Sequence, residues 1–370
     1  MRFSIPKDQL YEALSTISGI IPQRSTLPIL SSLLLEADNG RLRLTATDLD
    51  VYVVTDLDVD VEEDGVATIP GKRFIDIVKE LPNELMTLSS EEGQTTLKCG
   101  RRLYRFVGMP PTEYPGLPTT LSGKGAEIPV GVLVRALAHT SFAISTDEAR
   151  PNLQGALLQI SKDRLRLVAS DSHRLVRYDI PGRNDAELEA IVPLKTVGLL
   201  QRNLGNSDGM ALLEMCGSYL GISYGRTRVY SRVIEGPFPD YEKVIPVGNS
   251  IEFKLDREAA VSALRRVAVL SHTQTRQIRV SIEPNELRIS TNTPEVGDAT
   301  ESLDVEYSGE TMEIGFNATY LLEVLRHLGS DQVIVRLGSP TTAGLLEPET
   351  LHGKESYLCL VMPLRLFSNS

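Results

Sequence analysis

The 370-residue sequence predicts an α+β fold made of three tandem copies of one domain, each with two helices on antiparallel sheets. Three observations predict it. A marker, Arg41-Leu42-Arg43-Leu44-Thr45-Ala46-Thr47-Asp48, recurs as Arg164-Leu165-Arg166-Leu167-Val168-Ala169-Ser170-Asp171 and, more faintly, as Glu286-Leu287-Arg288-Ile289-Ser290-Thr291-Asn292-Thr293. Six segments carry the stripe of an amphipathic helix, five of them with apolar residues at i, i+3, i+4 and i+7 and one with a gap at i+4. Between them run alternating segments with turn residues ahead of them. The period of about 122 residues is that of a domain, since solenoid units run roughly 20 to 50 residues. The copies are 1–122, 126–247 and 251–370.

Each copy opens with a short strand and an amphipathic run: Met1 to Ser18, Ala126 to Ala143 and Ile251 to Leu270. The stripes are Leu10, Ala13, Leu14 and Ile17; Val130, Leu133, Val134 and Leu137; and Ala260, Ala263, Leu264 and Val267. Turns follow at Asp38-Asn39-Gly40, Ser161-Lys162-Asp163 and Glu283-Pro284-Asn285, each leading into a marker strand. A second strand and helix come next, over Val66 to Leu81, Leu188 to Leu204 and Met312 to Gly329. Their stripes are Phe74, Ile77, Val78 and Leu81, and Leu321, Val324, Leu325 and Leu328. The middle one, Val197, Leu200 and Leu204, is interrupted by Gln201. Closing strands bring each copy to roughly eight strands in two similar halves, with helices covering one side of antiparallel sheets.

Composition narrows the function. The apolar content of 41% suffices for three cores, and no run of 18 apolar residues exists to span a membrane. Met1-Arg2-Phe3-Ser4-Ile5-Pro6 passes directly into a strand without a signal-peptide core, so a cytoplasmic protein is expected. Cys99, Cys216 and Cys359 lack CxxC spacing and read as buried, reduced thiols. The five histidines, His139, His173, His272, His327 and His352, show no metal-ligand spacing. Asp171-Ser172-His173 holds the residue types of a hydrolase triad, but neighbours in a strand or turn point apart. No GxSxG, Walker A or GxGxxG motif is present. The sequence therefore predicts no catalytic residue, metal or cofactor.

The net charge of −11 argues against simple coating of nucleic acid, yet charge is unevenly distributed. The six helical segments hold eleven Lys and Arg (Lys7, Lys72, Arg73, Lys79, Arg135, Lys195, Arg202, Arg257, Arg265, Arg266 and Arg326) against seven acids. That is net +4 on the helices, leaving −15 elsewhere. If the helices line a closed ring at about 10 Å spacing, six leave roughly 9 Å of free bore and twelve roughly 28 Å. A duplex about 20 Å wide needs the second arrangement, hence a six-domain homodimer. Such a ring joins the first copy of one chain to the third of the other. Tyr104 and Phe106 on the basic segment from Arg101 to Phe106 are expected to meet Val269 and Leu270 and the acids Asp298, Glu301, Asp304 and Glu306. The same charges would also protect a free edge strand. A scaffold without nucleic acid is an alternative, though it leaves the basic helices unexplained.

The segments Arg24-Ser25-Thr26-Leu27-Pro28-Ile29-Leu30, Val168-Ala169-Ser170-Asp171-Ser172-His173-Arg174-Leu175, Phe238-Pro239-Asp240-Tyr241 and Val361-Met362-Pro363-Leu364-Arg365-Leu366 resemble the bacterial DNA polymerase III beta subunit, the sliding clamp, over essentially the whole chain. The resemblance implies DNA-clamp domains forming a head-to-tail homodimeric ring on duplex DNA, without catalysis of its own. It implies a pocket for a short hydrophobic peptide from each client: the replicative polymerase catalytic subunit, the clamp loader, other polymerases and repair proteins. Carried over residue by residue, that pocket comprises Leu153, Ser170, His173, Arg174, Leu175, Pro239, Val244, Leu360, Val361, Met362, Pro363 and Leu364, with Arg150 and Tyr320 nearby. On their own, Met362, Leu364 and Leu366 read first as a C-terminal strand packed into the core, although Pro363 favours an edge or bulge facing a cleft. Arg24 resembles the family's duplex contact, and Lys72, Arg73, Lys195 and Arg202 sit where helices would line the bore. Their role would be sequence-independent attraction of phosphates. The chain extends past the family's usual ending by Phe367-Ser368-Asn369-Ser370 and carries a polar loop, Glu347 to Glu355, of unassigned role.

Overall fold

The computed structural model describes residues 1–118, 121–205, 208–294 and 296–366, so the tail from Phe367 to Ser370 lies outside the described residues. The first copy contains β1 (Arg2–Pro6), α1 (Lys7–Ser18), β2 (Ser32–Asp38), β3 (Arg41–Thr47), β4 (Val51–Asp58), β5 (Asp60–Glu63), β6 (Gly65–Pro70), α2 (Gly71–Glu80), β7 (Leu85–Glu91), β8 (Gln94–Cys99) and β9 (Arg102–Val107). The second contains β10 (Ala126–Pro129), α3 (Val130–Thr140), β11 (Gly155–Ser161), β12 (Arg164–Ser170), β13 (Arg174–Pro181), β14 (Leu188–Pro193), α4 (Leu194–Leu204), β15 (Met210–Cys216), β16 (Tyr219–Tyr224) and β17 (Thr227–Arg232). The third contains β18 (Ile251–Asp256), α5 (Arg257–Val269), β19 (Gln277–Glu283), β20 (Glu286–Thr293), β21 (Gly297–Asp304), β22 (Met312–Asn317), α6 (Ala318–His327), β23 (Gln332–Leu337), β24 (Gly344–Pro348) and β25 (Ser356–Val361).

All six expected helices and the three marker strands form. In the first two copies the strand before each helix ends in proline, at Pro6, Pro70, Pro129 and Pro193, whose fixed φ turns the chain into the helix. The third copy uses side-chain caps instead. Asp256 accepts the Ala259 N–H at 2.8 Å and Asn317 accepts the Thr319 N–H at 2.9 Å. The Asn39-Gly40 loop has positive φ at both residues, 49° and 76°, which matches the twist of a two-residue hairpin between β2 and β3. Some details differ from the sequence reading. Residues Ser141–Ala143 form a separate 3-10 turn, and Ile77 and Val134 are only half-buried. Cys99 and Cys359 are buried, whereas Cys216 is half-buried near the end of its strand.

The chain divides into two compact units, Met1–Gly131 with Gly198–Val233, and Val132–Val197 with Ile234–Ser370. These units do not follow the sequence repeats, because sheets extend across copy boundaries. In the first unit, β4 pairs with β17 inside an eight-stranded sheet ordered β10-β15-β16-β17-β4-β3-β2-β6, accompanied by the five-stranded sheet β5-β1-β7-β8-β9. In the second, β13 pairs with β25 inside β14-β11-β12-β13-β25-β24-β23-β18, accompanied by β21-β20-β19-β22. The middle copy thus lends one half to each unit.

The turn after the marker strand is built the same way in the first two copies. Thr47 Oγ1 donates to the Val51 carbonyl and accepts the Leu49 N–H, both at 2.9 Å. Ser170 Oγ donates to the Arg174 carbonyl at 2.8 Å and accepts the Ser172 N–H at 3.2 Å. Asp48 and Asp171 each accept two N–H groups from the following residues. Leu49 and Ser172, at φ 83° and 76°, complete the reversal.

Candidate functional site

On β12, Arg166, Val168 and Ser170 share the face opposite to Leu165, Leu167 and Ala169, because side chains alternate along a strand. Val168 joins Leu157, Leu175, Leu358, Leu360 and Tyr241 in one apolar cluster on that face. The cluster forms the floor of a cleft of about 620 Å³, counted out to its open mouth. Eight of the expected pocket residues line it: Leu153, Ser170, Arg174, Leu175, Pro239, Val244, Leu360 and Met362. Ser172, Phe238, Asp240 and Tyr241 line it as well and were absent from that set. The Phe-Pro-Asp-Tyr segment signalled the last three, since it folds into the wall formed by the 3-10 turn Tyr241–Val244 and the residues ahead of it.

The other expected residues lie around the cleft or away from it. Arg150 donates to the Ser172 hydroxyl at the rim. The His173 ring stacks on Tyr320 of α6, with centroids 5.6 Å apart and planes 14° apart. Val361 is wholly buried, since it alternates with Leu360 on β25 and cannot share its face. Met362 donates its N–H to the His173 carbonyl and Leu364 its N–H to the Gly315 carbonyl, both at 2.8 Å. Pro363 lies between these two bonds, where the chain leaves one sheet for the other and no N–H is required. Leu364 is therefore half-buried against β22 and outside the cleft lining.

Arg174 supplies the polar edge and is itself 7% exposed. Its guanidinium donates to Asp171 Oδ2 at 3.0 Å, to Glu323 of α6, and to the Phe142 carbonyl at 2.7 Å, between the rings of Phe142 and Tyr320. A buried arginine is stable only when compensated this fully. Asp171 is consumed by Arg174 and two backbone N–H groups, which leaves it no role in a triad with Ser172 and His173. Behind the wall, Arg166 pairs with Asp179. Burial works against its charge, and the hydrogen bond and attraction of Asp179 more than offset this, raising its pKa. The stretch expected as a polar loop before β25 begins inside β24, with Glu347 and Pro348 in the strand, and only the residues after them form the loop. Glu347 pairs with Arg336, Glu349 with Lys254, and Glu355 accepts from Arg135 at 2.9 Å and from Tyr178.

Arg24, Lys72, Arg73 and Arg202 are exposed in the first unit, and Lys195 is exposed in the second. Arg202 lies over Gly19 at the end of α1, where a Cβ would sit 3.0 Å from its guanidinium. Other helix cations are committed elsewhere. Arg266 makes a bidentate pair with Glu301, and Arg257 reaches Glu258 at 2.8 Å. The edge strand β9 corrects one expectation. Phe106 is buried within the chain, edge-on against Phe74 at 5.6 Å, while Tyr104 on the same side is half-buried. The exposed apolar groups of β9 are Leu103 and Val107, which sit on the alternate side. Val269 is exposed and Leu270 half-buried. Among the described residues, no cluster of His, Cys, Asp and Glu is arranged to hold a metal, and no helix is long and apolar enough to cross a membrane.

Comparison with known proteins agrees with this architecture. Residues 1–118, 127–240 and 242–365 match, in turn, the N-terminal, central and C-terminal domains of the DNA polymerase III beta subunit family. The beta sliding clamp of Pseudomonas putida KT2440 is 33% identical over 99% of this chain and 100% of its own length. That of Escherichia coli K12 is 32% identical over the same shares. Among solved structures, DNA polymerase III subunit beta from Pseudomonas aeruginosa superposes with a TM-score of 0.94 at 33% identity, covering 99% of this chain and 100% of that one. A P. aeruginosa sliding clamp bound to griselimycin superposes with a TM-score of 0.93 at 33% identity, with the same coverage. The chain belongs to the DNA polymerase III beta subunit family, the sliding clamps that act as processivity factors in DNA replication.

Proposed function

We propose that two chains associate head to tail into a six-domain ring around duplex DNA, and that each chain tethers client proteins through the cleft beside Arg174. The domains of this reading are residues 1–122, 126–247 and 251–370. The observation that carries the tethering role is an apolar cleft on the outer face of a sheet, with Leu175, Leu360 and Met362 leaving it unfilled. Leucine, proline and methionine walls accept varied hydrophobic peptides, and the rim of Arg150, Ser172 and His173 can orient them. The clients are the replicative polymerase catalytic subunit, the clamp loader, and other polymerases and repair proteins bearing a clamp-binding peptide.

For the ring, β9 and β21 end their sheets. Val107 is 75% exposed on β9, and Val269 is 75% exposed at the end of α5. Pairing β9 of one chain with β21 of another would cover apolar groups between oppositely charged rims. Arg24, Lys72, Arg73, Lys195 and Arg202 would attract phosphates without reading bases, as sliding requires. The protein has no catalytic role of its own in this reading, and works in the cytoplasm on the nucleoid.

Sedimentation should return twice the 40.7 kDa chain mass. Once loaded by its clamp loader, the ring should stay on nicked circular DNA and be lost when that DNA is linearised. Retention on linear DNA, or a monomer at micromolar concentration, would sink the ring. Replacing Arg24, Arg73 and Arg202 together with alanine should weaken duplex binding and lower its dependence on salt by about three phosphate contacts.

A further inference from the structure

We infer that Arg166, which does not line the cleft, fixes the cleft's tyrosine wall and is thereby a positioning residue for client peptides. The inference rests on the reading of the cleft as the peptide site. Arg166 sits one step along the outward face of β12 from Val168 and two from Ser170, so its side chain runs beneath the wall. Its Nε is anchored by Asp179, whose other oxygen is ion-paired with Arg177 at 3.1 Å without a hydrogen bond from Arg177 Nε. Nη1 then donates to the Tyr241 hydroxyl at 3.0 Å and reaches Glu242 Oε1 at 3.2 Å. The same hydroxyl donates onward to Gln159 Oε1 at 3.4 Å, and Gln159 donates to Glu189 at 2.9 Å.

One guanidinium therefore holds two successive residues of the 3-10 turn Tyr241–Val244. The Tyr241 ring forms part of the cleft lining, and Val244, 52% exposed, closes its mouth. Beyond its internal 3-10 bonds, the turn is tied by a 3.3 Å backbone bond from Ile245 to Glu242, by the exposed pair of Asp240 and Lys243, and by Tyr241, whose ring packs in the cluster and edge-on to Phe238 at 6.2 Å. Packing places the tyrosine ring, and the hydrogen bonds from a charged, mostly buried donor fix where its hydroxyl and the neighbouring Glu242 sit.

The first copy provides an internal control. Arg43 and Asp56 occupy the corresponding strand positions and make the same pair, at 2.9 Å. There, however, the tyrosine after the last strand, Tyr114, donates to the backbone carbonyls of Ser32 at 3.3 Å and Thr45 at 3.0 Å. The ion pair recurs in both copies, and its extension to a wall tyrosine is a property of the cleft-bearing copy.

Fluorescence anisotropy with a labelled peptide from the replicative polymerase's clamp-binding segment tests this on the full chain. Arg166→Met keeps the stem and leaves Asp179 with Arg177, and should weaken peptide binding about tenfold. Arg166→Lys, which can hold Asp179 but not both turn residues, should fall between. Tyr241→Phe should reproduce part of the loss, and adding it to Arg166→Met should cost little more, the mark of two groups acting through one bond. Arg43→Met, which loses the equivalent pair, should leave peptide affinity unchanged. Met362→Ala separates this inference from the reading beneath it. If Met362→Ala abolishes binding while both Arg166 variants stay within twofold of the parent, or if the Arg166 and Tyr241 effects add fully, the positioning role is wrong and the cleft stands. If Met362→Ala also binds normally, both fall.

Discussion

The two places where sheets cross copy boundaries share a backbone and differ in what fills it. At the first, Tyr52 of β4 lies opposite Tyr230 of β17; at the second, Leu175 of β13 lies opposite Leu360 of β25. The strand ends correspond as well. Arg232 donates its N–H to the Asp50 carbonyl at 2.7 Å, and Met362 donates its N–H to the His173 carbonyl at 2.8 Å. Yet Tyr52 and Tyr230 are 5% and 1% exposed, packed with Val54, Leu121 and Tyr219, while Arg232 covers Tyr219 at 5.6 Å. The second boundary has leucines and a methionine at the matching positions and keeps an open cleft. The cleft therefore comes from removing aromatic volume from a repeated scaffold, with no new fold around it.

Exchanging that volume is the most direct way to break the comparison. Leu175→Tyr should fill the cleft and weaken peptide binding on the order of a hundredfold, with dimer mass and retention on circular DNA unchanged. The reciprocal change, Tyr52→Leu, should cost roughly 2 to 4 kcal/mol in urea unfolding by leaving a void. It should create no second peptide site, because Leu49 and Arg232 stand where the cleft has Ser172 and Met362. Peptide binding that survives Leu175→Tyr would show that side-chain volume does not decide between the two boundaries.

Much of this was legible in the sequence, because the repeat is written in local patterns. The helical stripes, the marker strands and the Asn39-Gly40 turn are short-range signals, and each formed where its spacing required. The cleft was legible in part. Leu175, Leu360 and Met362 could be named through the resemblance, but Val361 and Leu360 could be separated only once the strand's facing was known. Phe106 was misread for the same reason: one step along β9 exchanges a buried ring for the exposed Val107. The division of the middle copy between two units depends on pairings between strands distant in sequence, which no local pattern records. The Glu347 to Glu355 stretch acquired a structural role only when Glu355 was found against Arg135 and Tyr178.

A smaller difference between the copies concerns pH. Where α1 has Thr16, bonded to its own helix at the Glu12 carbonyl, the corresponding position of α3 holds His139. The ring of His139 lies between Tyr178 and Tyr357, with Nδ1 2.8 Å from the His327 carbonyl. Burial lowers its pKa below the usual histidine value and outweighs the opposing bond to His327. The unfolded chain then takes up the proton more readily than the folded one. The contribution is present above about pH 6.5 and is lost as pH falls through that value toward the lower folded one. The second unit should be less stable at about pH 5 than at pH 7, by an amount limited by the ring's partial exposure. His139→Gln should flatten this slope in urea melts at the two pH values, and an unchanged slope would assign the acid sensitivity to other groups.

The smallest expected effect lies in the shared turn, where two side chains meet the same backbone demand. Leu49 and Ser172 both hold a left-handed φ that costs an L-residue about 1 to 2 kcal/mol, against roughly 0.5 to 1 kcal/mol for the extra freedom glycine loses on folding. Leu49→Gly should therefore change stability by less than about 1 kcal/mol, since the strain it relieves is offset by the packing of a side chain only 38% exposed. Ser172→Gly relieves the same strain but removes the hydroxyl that receives Arg150, so its net effect on stability should be near zero. Its consequence should appear at the cleft, where an Arg150 left with only its 3.8 Å ion pair to Asp147 gives a modestly faster peptide off-rate with little change in unfolding. Equal changes in stability from both glycines, with peptide kinetics unaltered, would mean that Ser172 serves the turn as Leu49 does and that the cleft owes its rim to other residues.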